Sequence, residues 1–173
     1  MQPNEPTFLL VMGVCGSGKS TIGKELAHRA SVPFIDADDY HPQSNIEKMR
    51  HGEPLTDDDR WPWLEYLSSA VITNQKGCIF ACSALKKSYR TFLRERIPNL
   101  KTVYLHGSEE TLYKRMQGRD HFMPESLLKS QLATLEIPSN EWSLTIEIDQ
   151  ARDSIVQQAS VFLNLPSASR SSP

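Results

Sequence analysis

Glycine is scarce in this chain, with eight in 173 residues, below the usual ~7%. Cysteine is scarcer still: Cys15, Cys78 and Cys82 are too few and too irregularly spaced for a disulfide framework. A reducing, cytoplasmic setting is the default expectation. Neither charge sign dominates, with 19 Lys and Arg against 21 Asp and Glu. That balance argues against a general nucleic-acid-binding surface, which would carry a basic excess. Long hydrophobic runs are missing too. The apolar stretch Phe8–Val14 is far too short to cross a bilayer. No basic segment precedes it, so neither a signal peptide nor a membrane partner is expected. What remains suits a folded core, since 39% of residues are hydrophobic and 23% charged. The length fits one domain, taken as residues 1–165. Residues 166–173, rich in Ser and Pro, read as a disordered tail.

Four of the eight glycines (Gly13, Gly16, Gly18, Gly23) fall in one short window. Gly13-Val14-Cys15-Gly16-Ser17-Gly18-Lys19-Ser20 matches the phosphate-loop pattern G-x-x-x-x-G-K-[ST]. The flanks agree with it. Thr7–Met12 is wholly apolar, as in a buried parallel strand. Ile22, Leu26 and Ala30 recur every four residues, which predicts a helix over Ser20–Ala30. In such a loop the glycines let successive N–H groups point at phosphate oxygens, and the helix adds its positive end. Lys19 reaches the β- and γ-phosphates and the Ser20 hydroxyl is a Mg²⁺ ligand candidate, so the reading expects a bound nucleoside triphosphate. An ordinary Gly-rich turn would not need strand, loop and helix to agree.

Further strands are expected at Pro33–Asp36, Cys78–Cys82, Lys101–Leu105 and Leu144–Ile148. Helices are expected at Asn45–Arg50, Asp57–Asn74, Lys87–Arg96, Ser108–Gln117, Pro124–Leu135 and Ala151–Leu163. The alternation implies an α/β fold with a parallel sheet covered on both faces.

No N-K-x-D or D-x-x-G motif of a GTPase occurs, and no apolar strand ends in Asp-Glu. Instead the second strand runs into Asp36-Ala37-Asp38-Asp39-Tyr40-His41. Extended through Asp38, it would point Asp36 and Asp38 to one side, beside the loop. One carboxylate could then serve Mg²⁺ and the other accept a proton from an attacking hydroxyl; the bland alternative is a helix cap. Asp57–Asp59 suit a helix start, but Arg60 does not, and a cation there is expected to reach for an anionic ligand. Small residues after the third strand leave room for a substrate, ahead of the basic Lys86, Lys87 and Arg90. Cys78 and Cys82 read as packing residues, with no Cys or His partners at ligand spacing. Arg115 and Arg119, four apart and ending near Gly118, read either as a small lid over phosphates or as a solvated helix end.

These residues together resemble the gluconokinases of the shikimate-kinase-like family of P-loop kinases. The matching segments are GVCGSGKST (Gly13–Thr21), DADDYHP (Asp36–Pro42), NIEKM (Asn45–Met49), GEPLTDDDRWPWL (Gly52–Leu64), ACSALKKSYR (Ala81–Arg90), HFMPESLLKSQLATLE (His121–Glu136) and Ile148–Gln150. The resemblance implies a P-loop NTPase three-layer α/β/α fold with sheet order 2-3-1-4-5. A helical substrate-binding segment would span about residues 38–75 and a lid about residues 115–125. It implies ATP- and Mg²⁺-dependent phosphorylation of the 6-hydroxyl of D-gluconate, whose product enters the pentose phosphate pathway, and a homodimer. Gly13 through Thr21 (with Val14, Cys15, Gly16, Ser17, Gly18, Lys19 and Ser20) would hold ATP with Arg115 and Arg119. Lys19, Asp38 and Arg115 would be catalytic, and Ser20 and Asp36 would serve Mg²⁺. Asp38, His41, Lys48, Arg60, Arg90 and His121 would hold the sugar acid, with Arg60 and Arg90 on its carboxylate. The loop after Asp149 would flank the adenine.

The chain departs from the family pattern at Cys15, where Ser is usual, at Leu132, where Phe is usual, and in a lid shortened around Arg119–Phe122. The alternatives are a shikimate or nucleoside-monophosphate kinase of the same fold, and a catalytically silent nucleotide-binding module.

Overall fold

The computed structural model describes residues 5–118, 125–139 and 142–166. Five strands, β1 (Thr7–Met12), β2 (Phe34–Asp36), β3 (Gly77–Ala81), β4 (Lys101–His106) and β5 (Ser143–Glu147), form one sheet in the order β2-β3-β1-β4-β5. Every neighbouring pair is parallel, with Leu10 opposite Phe80 on one side and Thr102 on the other. The helices are α1 (Lys19–Ala30), α2 (Gln43–Arg50), α3 (Asp57–Ile72), α4 (Lys87–Arg96), α5 (Glu109–Gln117), α6 (Glu125–Thr134) and α7 (Arg152–Phe162). Sheet order and layering are those the resemblance implied.

β1 is buried on both faces because it lies mid-sheet between two helical layers. Leu9 and Val11 join Ile22, Leu26, Val156 and Ala159 on the α1 and α7 side. Phe8, Leu10 and Met12 join Leu64, Leu67, Tyr89 and Leu93 on the α3 and α4 side, as do Cys78 and Cys82. Burial pushes both of those thiols up to about 12, as fits packing residues.

One helix end and one turn after a strand differ from expectation for side-chain reasons. The helix from Asp57 ends at Ile72 rather than Asn74, because Thr73 and Asn74 turn their side chains back onto the Ala70 and Val71 carbonyls. Strand β2 stops at Asp36, and residues 37–40 form a 3₁₀ turn. The two-residue alternation expected to carry Asp38 therefore does not apply. Asp36 caps the turn instead, its Oδ1 accepting from the Asp38 N–H at 3.0 Å.

Candidate active site

The phosphate loop joins β1 to α1 as the sequence predicts. Gly16 and Gly18 take φ of +82° and +87°, a left-handed conformation that favours glycine. Gly18 is the N-cap of α1, so the first N–H groups of the helix open toward the loop. The Ser17 hydroxyl is buried and has no hydrogen-bond partner among the described residues. A concave, amide-lined loop with an orphaned hydroxyl is what a phosphate chain would complete.

Beside the loop lies a cavity of about 350 Å³, lined by Gly16–Gly18, Thr21, Ile22, Arg115, Gln150, Arg152 and Ile155. That volume is at the small-molecule scale of about 300–1,000 Å³. Arg115 is placed there by α5, with one Nη donating to the Ile148 carbonyl at 2.8 Å. Gln150 brings the segment after Asp149 to the same wall. A roomier hollow of about 500 Å³ between Trp61, Phe92 and Glu136 contains none of the loop residues.

On the other side of the loop the acids gather. The Ser20 hydroxyl donates to Asp36 Oδ2 at 3.1 Å, joining the start of α1 to the end of β2. Two hard oxygen donors so placed suit a Mg²⁺ ion that keeps several waters. Asp38 has its carboxyl held above the usual range, first by burial and then by the Asp36 charge. The Lys19 and His41 charges pull in the opposite direction. His41 stacks on the Trp63 ring at 4.2 Å between centroids, and burial lowers its pKa. Trp63 is fixed in turn, its indole N–H donating to the Ala37 carbonyl at 2.7 Å.

The remaining expected sugar-acid residues are placed less simply. Lys48 reaches both oxygens of Asp59 at 2.9 Å. Asp59 closes a capping box with Thr56 at the start of α3, and the two contacts bring its pKa from 3.8 to about 2. Arg60 donates to the Leu55 carbonyl at 2.7 Å and to the Tyr89 hydroxyl at 3.3 Å, with its guanidinium over the Tyr89 ring. Arg90, 7% exposed, spends three donors on the carbonyls of Ala84, Leu85 and Glu136. It braces the turn after β3 against the chain following α6. Arg119 and His121 lie outside the described residues, as does most of the expected lid.

Several residues around the site are not expected there from the sequence, Asp57 being expected only at a helix start. Asp57 accepts from both Lys86 Nζ, at 3.0 Å, and the Tyr89 hydroxyl, tying α3 to α4 beneath Arg60. Asn45, buried within α2, donates to the Asp59 carbonyl and faces His41 Nδ1. Gln131 of α6 accepts from the Cys15 N–H at 2.7 Å. A signal for it exists: Gln131 shares a helix face with Leu128 and Leu135, a polar residue on an apolar stripe.

The shikimate kinase family model matches residues 15–165 of the chain. The thermoresistant gluconokinase of Escherichia coli is 44% identical over 153 residues, covering 85% of this chain and 87% of that protein. The thermosensitive gluconokinase of the same organism is 47% identical over 149 residues, covering 83% and 79%. A crystal structure of a gluconokinase from Sinorhizobium meliloti superposes with a TM-score of 0.84 at 47% identity, covering 92% of each chain. A shikimate kinase from Bacteroides thetaiotaomicron reaches a TM-score of 0.66 at 18% identity, covering 92% of this chain and 99% of its own. That second likeness is one of fold alone. With its phosphate loop, its sheet order and relatives at this identity over most of their length, the chain belongs to the gluconokinases of the shikimate-kinase-like family.

Proposed function

We propose that the protein is an ATP-dependent gluconokinase, moving the γ-phosphate of ATP to the 6-hydroxyl of D-gluconate to give 6-phospho-D-gluconate and ADP. Family membership supports the substrate. The observation that carries the chemistry is the Asp36 carboxylate joined to both the Ser20 hydroxyl of the phosphate loop and the Asp38 N–H, which sets the acidic strand end beside the loop.

Phosphoryl transfer asks a protein for alignment, charge neutralisation and dryness rather than covalent chemistry. In this reading the loop amides and the α1 N-terminus hold the β- and γ-phosphates. Lys19 and Arg115 offset charge on the group in flight, and the cavity along Gln150 and Arg152 takes the nucleoside. Ser20 and Asp36 would hold Mg²⁺, which supplies Lewis-acid polarisation of the phosphate oxygens when bound. Asp38, its pKa raised by burial, would orient the attacking hydroxyl and take its proton. Arg60 is the sugar-acid carboxylate's partner, its planar fork suiting a bidentate contact. His41 meets the polyol, and Lys48 and Arg90 act by bracing Asp59 and the turn after β3. A homodimer and a cytoplasmic location complete the proposal.

ADP release, followed across D-gluconate, other sugar acids, shikimate and nucleoside monophosphates, tests it. D-gluconate should give the highest kcat/KM of the panel. Turnover of shikimate or a nucleotide in preference to every sugar acid would overturn the assignment, as would ATP binding without transfer to any acceptor.

A further inference from the structure

The phosphate loop is held from outside its own strand and helix, at Cys15. The backbone N–H of Cys15 donates to Gln131 Oε1 of α6 at 2.7 Å, across 116 positions of chain. The Cys15 thiol lies 3.5 Å from the Met116 Sδ of α5. The next residue presses on the same helix, since a Cβ at Gly16 would come within 3.0 Å of the Leu112 carbonyl oxygen. Two helices thus converge on the loop just before the amides of Gly16 through Ser20 begin.

We propose that Gln131 is a positioning residue for the phosphate loop, its side-chain carbonyl fixing the Val14–Cys15 peptide so that the amides that follow are already turned toward the nucleotide. The Val14 carbonyl of the same peptide accepts from the Ser17 N–H at 3.2 Å, so Gln131 ties the N–H side of a plane the loop itself ties at the other. Without the Gln131 tie the plane is held less firmly, and ATP binding must supply the remaining order. Losing one such hydrogen bond corresponds to roughly three- to tenfold in binding. This inference rests on the ATP-dependent reading of the site. Its test has an arm that does not.

That arm uses a reporter already in the chain. Cys78 and Cys82 are buried, with pKa values pushed up to about 12, whereas Cys15 is half-buried. An aromatic disulfide reagent therefore reads Cys15 in the nucleotide-free protein. Gln131→Leu, which removes the acceptor, should speed that labelling about tenfold and raise the KM for ATP about three- to tenfold. The KM for gluconate should stay within about twofold, and the melting temperature should hold, since Gln131 is half-exposed. Gln131→Glu keeps an acceptor oxygen but sets an anion beside the triphosphate. It should label at the wild-type rate while still raising the KM for ATP. The proposal is overturned if Gln131→Leu labels and binds ATP like wild type. It is equally overturned if both KM values and the melting temperature worsen together, which marks a merely structural residue. Should wild type prove inactive on sugar acids, the labelling arm still decides whether Gln131 holds the loop.

Discussion

Asp38 sits where burial and the Asp36 charge hold its carboxyl above the ordinary carboxylate value, against the pull of Lys19 and His41. A base must be ionised to accept a proton, so kcat should fall as acid protonates Asp38. Because its pKa is raised, that acid limb should lie at higher pH than an unperturbed carboxylate would set. Asp38→Asn should cut kcat by about 10²-fold and remove the limb, while ATP affinity survives. A near-wild-type rate or an unchanged pH profile in that variant would take Asp38 out of the role. At this scale the sequence is unevenly legible. Lys19 and Ser20 are readable because the loop motif fixes their place at the start of α1, and Asp36 because it ends the strand that runs beside it. Lys48 and Arg90 are sugar-acid residues by resemblance, and the fold gives each a further set of partners that the sequence does not show, Asp59 for Lys48 and three carbonyls for Arg90. Such contacts depend on which backbone carbonyls and carboxylates the fold brings close, which residue type alone does not encode.

Strand β2 and helix α1 meet closely at Gly23, where a Cβ would fall 2.6 Å from the Phe34 ring. Glycine permits that approach, and the approach sets Ser20 against Asp36. Gly23→Ala should therefore cost about 1–3 kcal/mol of stability by overpacking, read as a lower urea midpoint, and weaken ATP turnover with it. An unchanged midpoint would show that Phe34 yields freely and that the pairing does not depend on this contact. The inner strands β1 and β3 are legible in the sequence because mid-sheet burial demands apolar runs, as in Phe8–Met12 and Cys78–Ala81. The turn at Ala37–Tyr40 is not, since it arises from the Asp36 side chain capping the Asp38 N–H, and that bond overrides the alternation a longer strand would follow.

The whole molecule gathers its chemistry along one edge of the sheet. With order β2-β3-β1-β4-β5, the chain changes winding direction at β1, and the phosphate loop leaves that strand's carboxyl end. Parallel sheets bind ligands at such a switch point. The acids come from the end of β2, the brace around Arg90 from the turn after β3, and Arg115 from α5 beyond β4. Among the described residues, no helix is long and apolar enough to cross a membrane. Fold and family are legible because motifs at strand ends lie in chain order. The sequence shows Gln131 as a polar residue on an apolar stripe but not its partner, because the clamp joins segments far apart in that order.

Phosphorus NMR of the purified protein with ATP, Mg²⁺ and D-gluconate follows the transferred group itself. The γ-phosphate signal of ATP should be replaced by a single phosphomonoester, coupled to the protons on carbon 6 of gluconate, in step with ADP. Inorganic phosphate as the sole new signal, or an ester at another carbon, would contradict transfer to the 6-hydroxyl.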